Sequence, residues 1–269
     1  MKTEVYGGHL TAWRAWPGGP GRALLVHCSL GHSGAWRGVA GQLAETHECR
    51  AFDLPGHGRS DPWDGAGVLQ DAVCAQIRGM IADWTAPVDL IGHSFGATAA
   101  LRIAAAAPKL VRRLVLIEPV FFTPAYIANP AYRDRQMVES APIDTALERN
   151  DFRTAAQAFL KDWGGGEPWE AMSEAQQTQF SAQMPLIKAA YVTNNGDPDR
   201  ILADGHIARM AMPTLLIDGS ESPEGSHEVV TALRDLIANA KIETVQGAGH
   251  MVPVSHAGET GTLIKSFLG

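Results

Sequence analysis

Short apolar runs rich in β-branched residues alternate along this 269-residue chain with longer helix-like segments, and that alternation restricts the possible folds more than any other feature. The runs fall at 23–29, 49–55, 88–94, 113–119, 213–219 and 241–247. Their length and near-continuous apolar character fit strands buried on both faces. Between them, 68–84 carries Val68, Ala72, Ala75, Ile77 and Ile81 at helical spacing, and 95–106 is alanine-rich with Arg102. Strands separated in this way need crossover connections, so the sequence predicts an α/β chain with a doubly wound, mostly parallel sheet. The alternation stops between 120 and 210, where aromatic residues from Phe121 to Tyr191 and the run Gly164, Gly165, Gly166 accompany a helical pattern. This stretch is expected to be a helical insertion whose aromatic residues mostly pack its own core while a minority face a ligand. On that division 1–119 and 211–269 form the core domain and 120–210 a cap.

Composition narrows the function before any motif is considered. The formal charge is −7, from 22 basic and 29 acidic residues with no run of Lys or Arg, which offers no electrostatic footprint for a polyanion. Nucleic acid is therefore not an expected partner. The opening "MKTEVYGGHL" lacks the apolar segment of a signal peptide, and the apolar stretches are too short to span a bilayer. A cytoplasmic protein without a membrane partner is expected. Cys28, Cys49 and Cys74 are odd in number and contain no CxxC pair, so reduced thiols are the simplest reading. The histidines include no HExxH pair, and neither a phosphate loop nor a dinucleotide fingerprint is present. No metal and no cofactor are expected, and nothing in the sequence indicates an oligomeric state.

Within the run 88–94 the chain reads Gly92, His93, Ser94, Phe95, Gly96, and Ser94 stands where an apolar strand ends and a small-residue helix begins. Two readings compete. As a helix N-cap, Ser94 would accept from a backbone N–H. As a nucleophile it would occupy a sharp, strained turn that demands small residues two positions away on either side, a demand Gly92 and Gly96 meet. The helix starting at 95 would then aim free N–H groups and the positive end of its dipole at the same point, favouring a developing oxyanion.

Four segments bear on the choice together: "LLVHCSLGHSGAW" (24–36), "FDLPGHGRS" (52–60), "LIGHSFG" (90–96) and "GAGHMVP" (247–253). In this combination and order the chain resembles the α/β-hydrolase superfamily, specifically its cap-bearing esterase and C–C-hydrolase-like members, over nearly its whole length. The resemblance implies the α/β-hydrolase fold with a helical cap inserted after the sixth strand. It implies that Ser94 is the nucleophile, that His250 in its Gly-rich loop is the base, and that the backbone N–H groups of Ser29 and Phe95 form the oxyanion hole. Cys28 departs from the family, standing where its loop usually has Gly, and a residue with a Cβ resists conformations that Gly adopts freely. A catalytic thiol at Cys28 is the second reading of that position. The substrate pocket is expected to hold Cys28, His93, Phe122, Tyr126, Trp163 and Met251, whereas His256 is expected at the surface of the final helix.

The third member of such a triad must hold the His250 imidazole in its tautomer. Family habit places it just after the run 213–219, where Asp218, Glu221 and Glu224 are available and Ser222 occupies the position an Asp often takes. Glu221, one residue off that register, is expected to be the acid. Glu118 is the alternative, because some members draw the acid from the end of the preceding core strand. The expected chemistry is Ser-His-acid hydrolysis of a small carboxylic ester through an acyl-enzyme. Hydrolysis of a C–C bond in a diketone-like substrate is the alternative, and a ligand-binding member without turnover is the rival from another class.

Overall fold

The computed structural model describes residues 1–84 and 86–269. Eight strands form one sheet: β1 (Lys2–Tyr6), β2 (His9–Trp16), β3 (Gly21–Val26), β4 (His47–Phe52), β5 (Val88–His93), β6 (Val111–Ile117), β7 (Thr214–Gly219) and β8 (Ala240–Val245). Their spatial order is β1-β2-β4-β3-β5-β6-β7-β8. The β1–β2 and β2–β4 pairs are antiparallel and all the others parallel. The six apolar runs correspond to β3 through β8. The hairpin β1–β2 was not among them, because β1 exposes four of its five residues and so carries no buried apolar run. Its signal is the turn instead: Tyr6 pairs with His9 across Gly7 and Gly8, at φ 58° and 82°, the backbone that a two-residue hairpin requires.

Helices cover both faces of the sheet. Before the insertion these are α1 (Arg37–Leu43), α2 (Leu69–Ala82) and α3 (Phe95–Ala106). Between β6 and β7 come α4 (Thr123–Ala128), α5 (Pro130–Glu148), α6 (Phe152–Trp163) and α7 (Glu174–Asn194). After it follow α8 (Glu224–Leu236), the short α9 (Val252–Ser255) and α10 (Ala257–Leu268). Alternate residues of each central strand feed opposite cores: Leu24, Leu90, Leu114 and Leu216 pack with Ile77, Leu101 and Leu233, whereas Leu25, Ile91, Val115 and Ile217 pack with Val39, Leu43 and Ile264. Burial of both faces explains why the strands read as unbroken apolar runs. At the strand ends remote from the Ser94 turn, buried Asp89 accepts from His47 Nε2 at 2.8 Å and pairs with Arg112, which ties β4, β5 and β6 together.

Three of the helices between β6 and β7, α5, α6 and α7, share a small core of their own, built from Ile143, Leu147, Ala155, Met184 and Ile187 with Phe152, Phe159 and Phe180 against it. Local caps set their starts. Asn129 accepts from Tyr132 N for α5 at 3.1 Å and Asp151 from Thr154 N for α6 at 3.2 Å, while Ser173 and Gln176 bond reciprocally to open α7. Among the described residues no helix is long and apolar enough to cross a membrane.

Candidate active site

Ser94 follows β5 directly with its backbone at φ 55° and ψ −120°, a sparsely populated region that costs on the order of 1–3 kcal/mol. Its surroundings impose that conformation. Ser94 N–H donates to Ile117 O at 2.8 Å and its carbonyl accepts from Thr98 N at 3.0 Å, so strand passes to helix within one residue. A Cβ at Gly92 would lie 2.5 Å from Ala97 Cα, and one at Gly96 would lie 2.4 Å from the carbonyl oxygens of Val26 and His27. Close approach therefore dictates both glycines. The Ser94 side chain makes no capping bond to α3, which argues against the simple N-cap reading.

The two N–H groups expected at the oxyanion position, on Ser29 and on Phe95 at the start of α3, donate to no backbone acceptor among the described residues. Cys28 between β3 and Ser29 needs no glycine-like conformation: the left-handed turn of this loop falls on Leu30, at φ 62°. Burial pushes the Cys28 thiol up to about 12, which keeps it protonated and works against a thiolate nucleophile. The loop is pinned from below by His27, whose Nδ1–H donates to Cys28 O at 2.7 Å while Nε2 accepts from Leu54 N at 3.0 Å. Asp53 accepts from Ser33 N at 2.7 Å and Arg59 N at 2.9 Å, joining the same loop to the turn after β4.

The loop after β8 folds back over the end of β7. Glu221 N donates to Ala248 O at 2.9 Å and Gly247 N to Ser220 Oγ at 2.8 Å, and a Cβ at Gly219 would stand 2.2 Å from Ala248 O. That crossing carries His250 to the end of β6, where its Nδ1–H donates to Glu118 Oε2 at 2.9 Å. Both side chains are buried, 4% and 0% exposed. With Nδ1 protonated, Nε2 keeps its lone pair, the tautomer a general base needs. His93, next to Ser94, donates from Nε2 to His250 O at 2.9 Å and so holds the backbone of the histidine.

Glu118 is the structural centre of this group. Its backbone takes φ 49°, and Oε1 accepts from Gly219 N at 2.8 Å and from Ser222 Oγ at 2.7 Å. Burial pushes the carboxyl up, but the interaction with His250, together with nearby Ser226 and Ser222, outweighs it and holds Glu118 below the usual carboxylate range. His250 thus bonds to Glu118, the alternative acid of the sequence reading, and not to Glu221. Glu221, the first choice, is exposed among the residues lining the cavity described below, and among the described residues its carboxylate bonds to nothing, while its backbone is tied to Ala248. At the position where an Asp was looked for, Ser222 donates to Glu118 instead. Asp218 is engaged elsewhere, accepting from Thr244 Oγ1 and His227 Nδ1, both at 2.7 Å.

A cavity of about 1160 Å³ opens above Ser94 and Ser29, walled by Phe122, Tyr126 and Trp163, which were expected there, and also by Asp144, Ile187 and Tyr191. Three expected pocket residues do not line it. Cys28 and His93 are buried beneath the site at 3% and 2% exposure, and Met251 starts α9 behind His250. The residues missed lie on α5 and α7, where helical spacing shows burial but cannot separate a face turned to neighbouring helices from one turned to a void. Trp163 stands nearly perpendicular to His250, ring centres 4.8 Å apart, and Phe122 stacks on Tyr126 at 5.9 Å. Among the described residues no group of three His, Cys, Asp or Glu is placed to hold a metal ion.

The sequence profile of the alpha/beta hydrolase family matches residues 23–260. The chain belongs to that family. As an α/β-hydrolase it is an enzyme, similar at 29% identity to Lipase LipV of Mycobacterium tuberculosis over 94% of this chain and 95% of that one. It is 26% identical to a 2-hydroxymuconate semialdehyde hydrolase of a Pseudomonas strain, over 87% of this chain and 80% of that one. Among solved structures it resembles an alpha/beta hydrolase from Sphaerobacter thermophilus with a TM-score of 0.72 at 21% identity, each chain covered fully. This likeness confirms the α/β-hydrolase fold, with a mostly parallel sheet of eight strands.

Proposed function

We propose that this α/β-hydrolase is a serine hydrolase in which Ser94 is the nucleophile, His250 the general base and Glu118 the orienting acid. The observation that carries the reading is the Glu118–His250 hydrogen bond of 2.9 Å, buried at the end of the strand next to the one that ends in the strained Ser94 turn. Ser94 Oγ would lose its proton to His250 Nε2 while attacking a carbonyl carbon, and the Ser29 and Phe95 N–H groups would receive the oxyanion. Water, activated by the same imidazole, would then release the acyl group. Residues 120–210 act as the cap over this centre, and a small carboxylic ester is the substrate best suited to it. The expected test result is a single fluorophosphonate adduct, located by mass spectrometry on Ser94; an adduct elsewhere, or none, contradicts the assignment.

Cleavage of a C–C bond in a diketone-like compound is the second reading. It is favoured by the size of the cavity, about 1160 Å³ with Asp144, Lys188 and Asn194 among its polar wall, and by the likeness to the 2-hydroxymuconate semialdehyde hydrolase. Turnover of p-nitrophenyl esters of increasing acyl length against that of a diketone panel separates the two.

A further inference from the structure

We propose that Trp163 is a positioning residue for His250, an arm of the insertion that fixes the imidazole and shields its bond to Glu118 from bulk water; the proposal rests on the role assigned to His250 above. Trp163 ends α6 and is half-buried at the cavity wall. Its ring meets the imidazole at 4.8 Å and 87°, an edge-to-face arrangement in which contact depends on orientation and not only on covered area. The other constraints on His250 act from the core: Glu118 at Nδ1 and His93 at the backbone carbonyl. Trp163, on the cavity wall, adds a contact on the ring itself, and is braced in turn by Phe122 at 6.0 Å.

The chain beyond Trp163 is suited to moving such an arm. Gly164 closes α6, where a Cβ would lie 2.3 Å from Leu160 O, and beyond it a Cβ at Gly165 or Gly166 would meet nothing within 4 Å. Packing therefore does not require glycine there, whereas Gly166, at φ 86°, uses the freedom that glycine has. With Trp163 in place, the buried Glu118–His250 bond is shielded from water and correspondingly strengthened. With Trp163 withdrawn, the imidazole gains a direction in which to tilt, and displacement of a base by about 1 Å costs on the order of 100-fold in rate.

A mere wall residue and a positioning residue are separated by the smallest substrate. Hydrolysis of p-nitrophenyl acetate does not depend on filling a large cavity, so loss of a wall leaves its kcat unchanged. For Trp163→Leu, the expected result is a fall in kcat on this ester of about 10-fold or more, with little change in KM, and recovery of most of the rate in Trp163→Phe. Trp163→Met, which retains bulk without an aromatic edge, behaves like Trp163→Leu and serves in its place if that variant does not fold. Unchanged kcat in the Leu and Met variants, or an effect confined to KM for long acyl chains, overturns the proposal. Fluorophosphonate labelling of the wild-type protein is run alongside: an unlabelled Ser94 rejects the serine-hydrolase reading itself, whereas a labelled Ser94 with indifferent Trp163 variants rejects only this inference.

Discussion

At the scale of single residues, the site depends on one exchange between neighbouring strands. A carboxylate near the end of β7 would be the habitual partner of the histidine, but the residue there is Ser222, and its hydroxyl donates to a glutamate supplied by β6. Glu118 is buried completely, and a buried carboxylate is tolerable only when its lone pairs are met. Here His250, Ser222 and Gly219 N meet them. Ser222→Ala removes one of these bonds and leaves its acceptor otherwise enclosed, so stability should fall by about 1–3 kcal/mol in chemical denaturation, with turnover reduced but not abolished. The position of Cys28 follows the same local logic. Its place in the loop after β3 is open to a residue with a Cβ because Leu30, not Cys28, takes the left-handed turn.

At the scale of elements, the Ser94 turn is a close-packed joint between β3, β5 and α3. Gly96→Ala would set a methyl group 2.4 Å from the carbonyl oxygens of Val26 and His27, and overpacking of a rigid backbone contact costs about 1–3 kcal/mol. A lowered melting temperature together with lost turnover is expected for Gly96→Ala; an unchanged melting temperature would contradict the joint. The insertion should respond in the opposite way. Alanine at the half-buried Tyr126 removes cavity wall, and selectivity among acyl chains should change more than stability does. Much of this was legible in the sequence, because strands buried on both faces and a strand-turn-helix serine with flanking glycines leave local patterns. Glu118 leaves no such pattern. Its partnership with His250 spans 132 positions and depends on the path of a loop across β7, which no local pattern encodes. The hairpin β1–β2 escaped for another reason: its outward residues are exposed, so only the Gly7–Gly8 turn marks it.

At the scale of the whole molecule, the sheet gathers residues from distant parts of the chain at one end of its central strands, and the fold buries several imidazoles without charge. Burial pushes His27 and His93 down to about 3 and His57 to about 4. An unfolded chain titrates them near 6.5, so between that value and about 4 the unfolded state binds more protons than the folded one. The sign follows: stability is full above the unfolded value and declines as pH falls, each histidine contributing about 1.4 kcal/mol per pH unit. Urea denaturation at pH 7, 6 and 5 should show this loss, and pH-independent stability over that range would contradict the burial of neutral rings. The same convergence of β5, β6 and the loop after β8 underlies the account of catalysis. Its most direct test is kcat for Glu118→Gln set against kcat for Glu221→Gln on one ester. Glu118→Gln should lower kcat by about 100-fold or more with little change in KM while Glu221→Gln stays near wild type, and the reverse pattern would contradict the assignment of the acid to the end of β6.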